Sequence, residues 1–150
     1  TAIHHDDRAP VALPGPPQMK LWPDALAHLG FVPEELMAVH PGLDKRLRSV
    51  EGAGPSWARY PLRDVLIVGP PGPVRVERLT GAAAAVELAR NAYLVDFSVP
   101  SCHHLFLPPA ARLASSVRVW RFTPGESLAD LPAALDVLER LGASDSDPLV

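Results

Sequence analysis

The stretch from Pro61 to Asn91, PLRDVLIVGPPGPVRVERLTGAAAAVELARN, constrains the fold more than any other. Val65, Leu66, Ile67 and Val68 form a continuous, mostly β-branched apolar run that is too short for a helix core. Gly69-Pro70-Pro71-Gly72-Pro73 bounds it, so it reads as a buried strand. In the next segment Val74, Val76 and Leu79 point one way while Arg75, Glu77 and Arg78 point largely the other, the period of a strand with one wet face. The proline-rich segment between them then reads as a hairpin turn. Thr80 suits the N-cap of a helix over Ala82–Asn91, with Val86, Leu88 and Ala89 available to pack back on the hairpin. Strand, turn, strand and helix make the central unit.

VLIVGPPG also looks like the opening of a nucleotide-binding loop, but the residues after it decide against that reading. A phosphate cradle needs a Gly-Lys-Ser or Gly-Lys-Thr end, then a helix whose first N–H groups face the anion. Here Pro73-Val74-Arg75-Val76 comes next, with no lysine, no hydroxyl and a strand pattern. The three prolines also remove three amide donors.

A chain of 150 residues has the length of one domain, and 47% apolar content fits a globular core. No stretch approaches the ~20 uncharged residues of a membrane span. The net charge is -3 and the 14 basic residues are scattered, which leaves no electrostatic footprint for nucleic acid or anionic lipid. A single cysteine, Cys102, excludes an internal disulfide framework and suits a reducing cytoplasm. The 18 prolines stand at element borders and act as punctuation.

Thr1–Arg8 and Val11–Gln18 read as extended, and Leu21–Gly30 as a helix with Pro23 in its first turn, Leu26 and Leu29 on one face and Gly30 as its stop. A second short helix is expected over Pro33–Val39, and Lys45–Val50 alternates as an edge strand would. Glu51–Tyr60 reads as a loop. Pro108-Pro109 suits the opening of a helix through Leu113, and Val117, Val119, Trp120 and Phe122 mark a further strand. Leu131, Leu135, Leu138 and Leu141 recur at helical spacing, and Gly142 ends that helix. The expected fold is α/β, a mixed sheet with flanking helices, with one domain over residues 1–142 and a flexible tail over 143–150.

His4-His5-Asp6-Asp7 is the densest cluster of bases and ligands. Two carboxylates after a short apolar piece suit a Mg²⁺-dependent phosphoryl transferase, one for the metal and one for the proton of the nucleophile. The plainer reading is a solvated terminus or the scar of a histidine tag. Cys102-His103-His104 is a weak zinc candidate, because adjacent ligands do not readily share one tetrahedral ion. Trp22, Trp57 and Trp120 read as core or interface residues, since no basic stripe accompanies them.

Along the chain, His5-Asp6-Asp7-Arg8 is succeeded by Leu13-Pro14-Gly15-Pro16-Pro17-Gln18-Met19-Lys20-Leu21-Trp22-Pro23-Asp24-Ala25-Leu26, then by Lys45-Arg46, then by Pro61-Leu62. This order resembles the C-terminal part of the HPr serine kinase-like proteins, whose fold is similar to that of phosphoenolpyruvate carboxykinase and some of which modify the peptides of lasso-peptide clusters. The resemblance spans nearly the whole chain, is strongest at Asp6-Asp7 and Lys20–Leu26, and beyond Thr80 is only a pattern of apolar positions. It implies that one of Asp6 and Asp7 accepts the proton of the substrate hydroxyl while the other holds Mg²⁺, with the assignment open. It matches Lys45 and Arg46 to a basic pair in contact with phosphate, and their plainer reading is charge on an exposed edge strand. It implies ATP and Mg²⁺ as cofactors and a peptide or protein substrate, and leaves a homo-oligomer open. In that family a Gly-rich loop ending in Gly-Lys-Ser precedes the acidic pair, and these 150 residues contain none. The expectation is therefore either the C-terminal portion of a longer serine kinase, which Thr1 in place of Met favours, or a non-catalytic peptide- or protein-binding module of the same fold.

Overall fold

A computed structural model describes residues 2–5, 9–51, 54–55, 58–92 and 100–143, with backbone alone at 2, 5 and 100–103. The expected tail beyond 143, Trp57 and the pair Asp6-Asp7 lie outside the described residues. The chain forms two compact units, Thr1–His4 with Val11–Pro61 and His5–Pro10 with Leu62–Val150. Both combine strands with flanking helices, the α/β class expected. No described helix is long and apolar enough to cross a membrane.

The first unit contains β1 (Ala2–His5), β2 (Pro10–Leu13), β3 (Gln18–Leu21), α1 (Pro23–His28), a 3₁₀ turn at Pro33–Glu35, β4 (Met37–His40), β5 (Leu43–Ser49) and β6 (Tyr60–Pro61). β2 lies between β1 and β6, and β5 lies between β3 and β4. Pro23 starts α1 and Leu26 is fully buried, while Gly30, at φ +71°, takes the left-handed conformation that ends it. Leu29 sits at the C-cap and is 44% exposed, so it does not share the buried face expected for it.

Two expectations fail in this unit. The segment Pro33–Val39 is not a helix: after one 3₁₀ turn it becomes β4, and His40 Nδ1 accepts the Gly42 N–H at 3.0 Å in the turn to β5. Nor is Lys45–Val50 an edge strand. β5 is central, with Leu47 opposite Lys20 on one side and Met37 on the other. Met37 and Ala38, both helix formers, enter a strand because pairing to β5 outweighs local preference.

The second unit contains β7 (Asp64–Val68), β8 (Gly72–Leu79), α2 (Gly81–Arg90), α3 (Pro100–Ser116), β9 (Arg118–Gly125), a 3₁₀ turn at Leu128–Asp130 and α4 (Leu131–Ala143). The sheet order is β7-β9-β8. The expected hairpin is therefore absent: β9 inserts between its two strands, parallel to β7 and antiparallel to β8. Gly69–Pro71 crosses over the end of β9, a span of about two strand spacings or ~10 Å. The Gly69 N–H donates to the Phe122 carbonyl at 2.8 Å, which fixes the crossing. Val68, expected to be buried, lies at the open end of β7 and is 66% exposed.

Register pairs Val65 and Leu79 with Val119 and Ile67 with Arg121, so these side chains share one face. Ile67, Leu79, Ala84, Val117 and Val119 form the core there, with Leu62, Val65, Leu88, Leu113 and Ala114 against it. Leu79 thus points with Arg75 and Glu77, not with Val74 and Val76 as the alternation implied. Thr80 occupies the N-cap of α2 without a side-chain hydrogen bond, and Ala84, Ala85 and Ala89 let the helix approach closely. Pro108 and Pro109 lie inside α3 and do not open it. Gly142 falls within α4, which ends at Ala143, and Leu131 and Leu135 of the expected apolar stripe are exposed.

Gly125 has φ +107°, and a Cβ there would lie against the Cβ of Asp130 and 3.0 Å from its Oδ2. Gly125→Ala should destabilise the unit by about 2–3 kcal/mol through strain and overlap. Gly142→Ala, where a Cβ would meet no neighbour within 4 Å, should stabilise it by up to about 1 kcal/mol. Urea unfolding checks both, and equal midpoints for the two variants would refute this account.

Candidate functional site

Lys45 and Arg46 are consecutive residues of a central strand, so their side chains leave opposite faces of the sheet. Lys45 Nζ lies 4.3 Å from the centroid of the Trp22 ring, and two residues on from Arg46 the Arg48 guanidinium lies 4.0 Å from that of Phe31. Arg46, opposite Leu21 and Ala38, has a buried Nε without a hydrogen-bond partner among the described residues. The sheet thus separates the expected basic pair: Lys45 is spent on an aromatic ring, and Arg46 retains an unsatisfied donor. β1 ends at His5, immediately before Asp6-Asp7.

In the second unit Asp64 opens β7 opposite Arg118 of β9. Its carboxylate accepts from Arg118 Nε at 2.8 Å, Arg118 Nη2 at 2.6 Å and Trp120 Nε1 at 2.6 Å, and Arg78 lies over the Trp120 ring at 4.9 Å. Burial alone would raise the Asp64 pKa. The hydrogen bonds from Arg118 and Trp120 and the charges of Arg118 and Arg78 outweigh it and hold the carboxyl below its ordinary value of 3.8. All of these donors lie along paired strands, so the group is a tie between β7 and β9.

At the opposite end of the strands a cleft of about 590 Å³ opens between the sheet and α2. Ile67, Val68, the connection Gly69–Pro71 and the start of β8 at Gly72 and Pro73 form one wall, and Arg75, Arg121, Thr123, Glu87 and Asn91 supply the polar groups. Arg121 pairs with Glu87 at 3.3 Å and Glu77 at 3.9 Å, and Glu87 also meets Arg90 at 3.5 Å. Arg75 makes no ion pair among the described residues.

The loop at Gly69 does not fit a nucleoside triphosphate. The loop at Gly69 leads into β8 and not into a helix, and Pro70, Pro71 and Pro73 carry no N–H. Among the described residues no three His, Cys, Asp or Glu side chains come together as metal ligands, and the side chains of Cys102 and His103 lie outside the described ones. None of the protein-family models, curated proteins or solved structures compared with the chain matches it.

Sequence reasoning missed both the Asp64 group and the cleft. The Asp64 group carried a faint signal, an acidic residue at the start of one strand and an arginine at the start of another. The cleft carried none, because its two arginines are 46 positions apart and meet only when β9 enters beside β8.

The lowered Asp64 pKa has a definite sign. The unfolded chain binds the proton more readily, so the stability from this group is complete above about pH 3.8 and is lost as the pH falls through the lower folded value. Asp64→Asn should cost about 1–3 kcal/mol at pH 7, because Arg118 and Trp120 lose their charged acceptor. The gap between parent and variant should narrow on acidification below pH 3.8. Urea titrations at pH 7 and pH 3 measure this, and a gap that stays constant or widens contradicts it.

Proposed function

We propose that these residues are the C-terminal part of an ATP- and Mg²⁺-dependent serine kinase of the HPr kinase-like kind, built on the phosphoenolpyruvate carboxykinase-like fold and phosphorylating a hydroxyl of a peptide or protein. The observation that carries the reading is the Nε of Arg46, on the central strand of its sheet, buried and without a hydrogen-bond partner among the described residues. A fold retains an unsatisfied buried donor at a cost, and an anion is what would satisfy it. Support also comes from the order of motifs along the chain and from the place of Asp6-Asp7 directly after β1. In this reading one carboxylate orients the substrate hydroxyl and takes its proton, the other fixes the metal, and Arg46 faces phosphate. Bound Mg-ATP supplies the transferred phosphoryl group and its charge neutralisation. The cytoplasm, where ATP and a reduced Cys102 coexist, is the compartment that suits it.

The second reading, a non-catalytic module recognising a peptide or protein, is favoured by one observation. The glycine-containing loop of the second unit offers no amide cradle for phosphate.

The 150 residues by themselves should bind Mg-ATP weakly or not at all, and calorimetry giving micromolar affinity would sink the assignment of ATP to an upstream loop.

In the intact gene product Asp6→Asn and Asp7→Asn should each lower phosphate transfer by at least ~10²-fold. Each should change stability by no more than about 0.5 kcal/mol. Arg46→Met, which keeps the aliphatic stem, should lower transfer by ~10²-fold or more while the melting temperature holds or rises, because the unsatisfied donor is gone. Full activity in all three variants, read in a radiolabelled phosphate-transfer assay, leaves the binding module as the better reading.

A further inference from the structure

Nothing in the kinase reading uses the cleft of the second unit. It lies beyond the carboxyl ends of the two parallel strands β7 and β9, the place where open α/β sheets receive ligands, because the loops diverge there and leave a crevice. Its chemistry has two parts. One wall is apolar, made by Ile67, Val68 and prolines 70, 71 and 73. Opposite it stand polar donors from three elements: Arg75 of β8, Arg121 and Thr123 of β9, and Asn91 at the end of α2.

The charges decide the kind of ligand. Arg121 is already shared between Glu87 and Glu77, which orients it but leaves little uncompensated charge. Arg75, directly opposite Thr123 in the register, has no counter-ion among the described residues. With Arg75 and Arg121 positive and Glu87 negative, the lining carries one net positive charge. That suits a monoanion: a carboxylate can take the Arg75 guanidinium in a two-point contact, whereas a phosphate dianion would bring a second negative charge beside Glu87. The apolar wall calls for an aliphatic group next to that carboxylate. The Thr123 side chain, 7% exposed, keeps its methyl against Gly72, where an added Cβ would lie 3.3 Å away, so the floor of the cleft is held in place.

We propose that this cleft binds the terminal carboxylate of a peptide ending in an aliphatic residue, with Arg75 as the charge-reading group and Ile67 and the prolines as the side-chain wall. The site stands on the second unit alone and does not depend on the kinase reading, since binding is measured without nucleotide or turnover.

The test uses the full 150-residue chain, amide chemical shifts, and three probes: N-acetyl-leucine, N-acetyl-leucinamide and inorganic phosphate. N-acetyl-leucine should saturate, with shifts concentrated at Gly69, Gly72, Arg75 and Thr123. The uncharged amide should bind at least tenfold more weakly, and phosphate more weakly than N-acetyl-leucine. Arg75→Gln should weaken N-acetyl-leucine at least fivefold with the melting temperature unchanged, since Arg75 is exposed and makes no ion pair among the described residues. Equal binding of acid and amide, tighter binding of phosphate, absence of saturable shifts at the cleft, or an Arg75→Gln variant that binds as the parent does would each overturn the proposal.

Discussion

The second unit depends on β9 being held between β7 and β8. Five consecutive residue pairs tie β9 to β7 in parallel, and a longer antiparallel register ties it to β8. The Asp64 carboxylate secures the entry of this arrangement with three charge-assisted or polar hydrogen bonds to Arg118 and Trp120. At the exit the Gly69 N–H closes on the Phe122 carbonyl, and the turn after β9 is locked by Asp130, whose Oδ2 accepts the N–H groups of Glu126 and Ser127. Those backbone bonds hold the Asp130 carboxyl below its usual range. Val119 of β9 stands between Ile67 and Leu79 in the core that these residues form with Ala84 and Val117.

The same insertion creates the cleft. A two-residue hairpin would have put β7 beside β8 and closed the sheet over that space. Because the connection must instead cross the end of a third strand, Gly69–Pro71 lies outside the ladder and Arg75 is brought opposite Thr123. The prolines that exclude a phosphate-binding loop thereby supply an apolar wall. In the first unit β5 is the central strand, and its pleat sends the adjacent Lys45 and Arg46 to opposite faces: Lys45 meets Trp22, and the Arg46 Nε is buried without a hydrogen-bond partner among the described residues.

Local chemistry was legible where it is decided locally. The strands at Val65–Val68 and Val74–Leu79, the helix after Thr80, the arrest of α1 at Gly30 and the last helix all follow from period, caps and turn residues acting within a few positions. So did the exclusion of a nucleotide loop at Gly69, since a missing proline N–H is a property of the residue and not of the fold. Where two local codes competed, the sequence misled: Glu34–Val39 carries helix formers, and Pro108-Pro109 carries a helix-opening signal inside what is one helix.

Pairing, by contrast, belongs to the tertiary structure. Which strand neighbours which is settled by contacts between residues some 50 positions apart, and no local period encodes that choice. Hence β5 became central, β9 parted β7 from β8, and Leu79 turned to the face of Glu77, because a side chain's face is set by the register of the whole ladder. The residue types needed for ion pairing and anion recognition were visible as letters throughout. Their grouping into an Asp64–Arg118–Trp120 tie at one end of the sheet and an arginine-lined cleft at the other was decided only when the strands closed on one another.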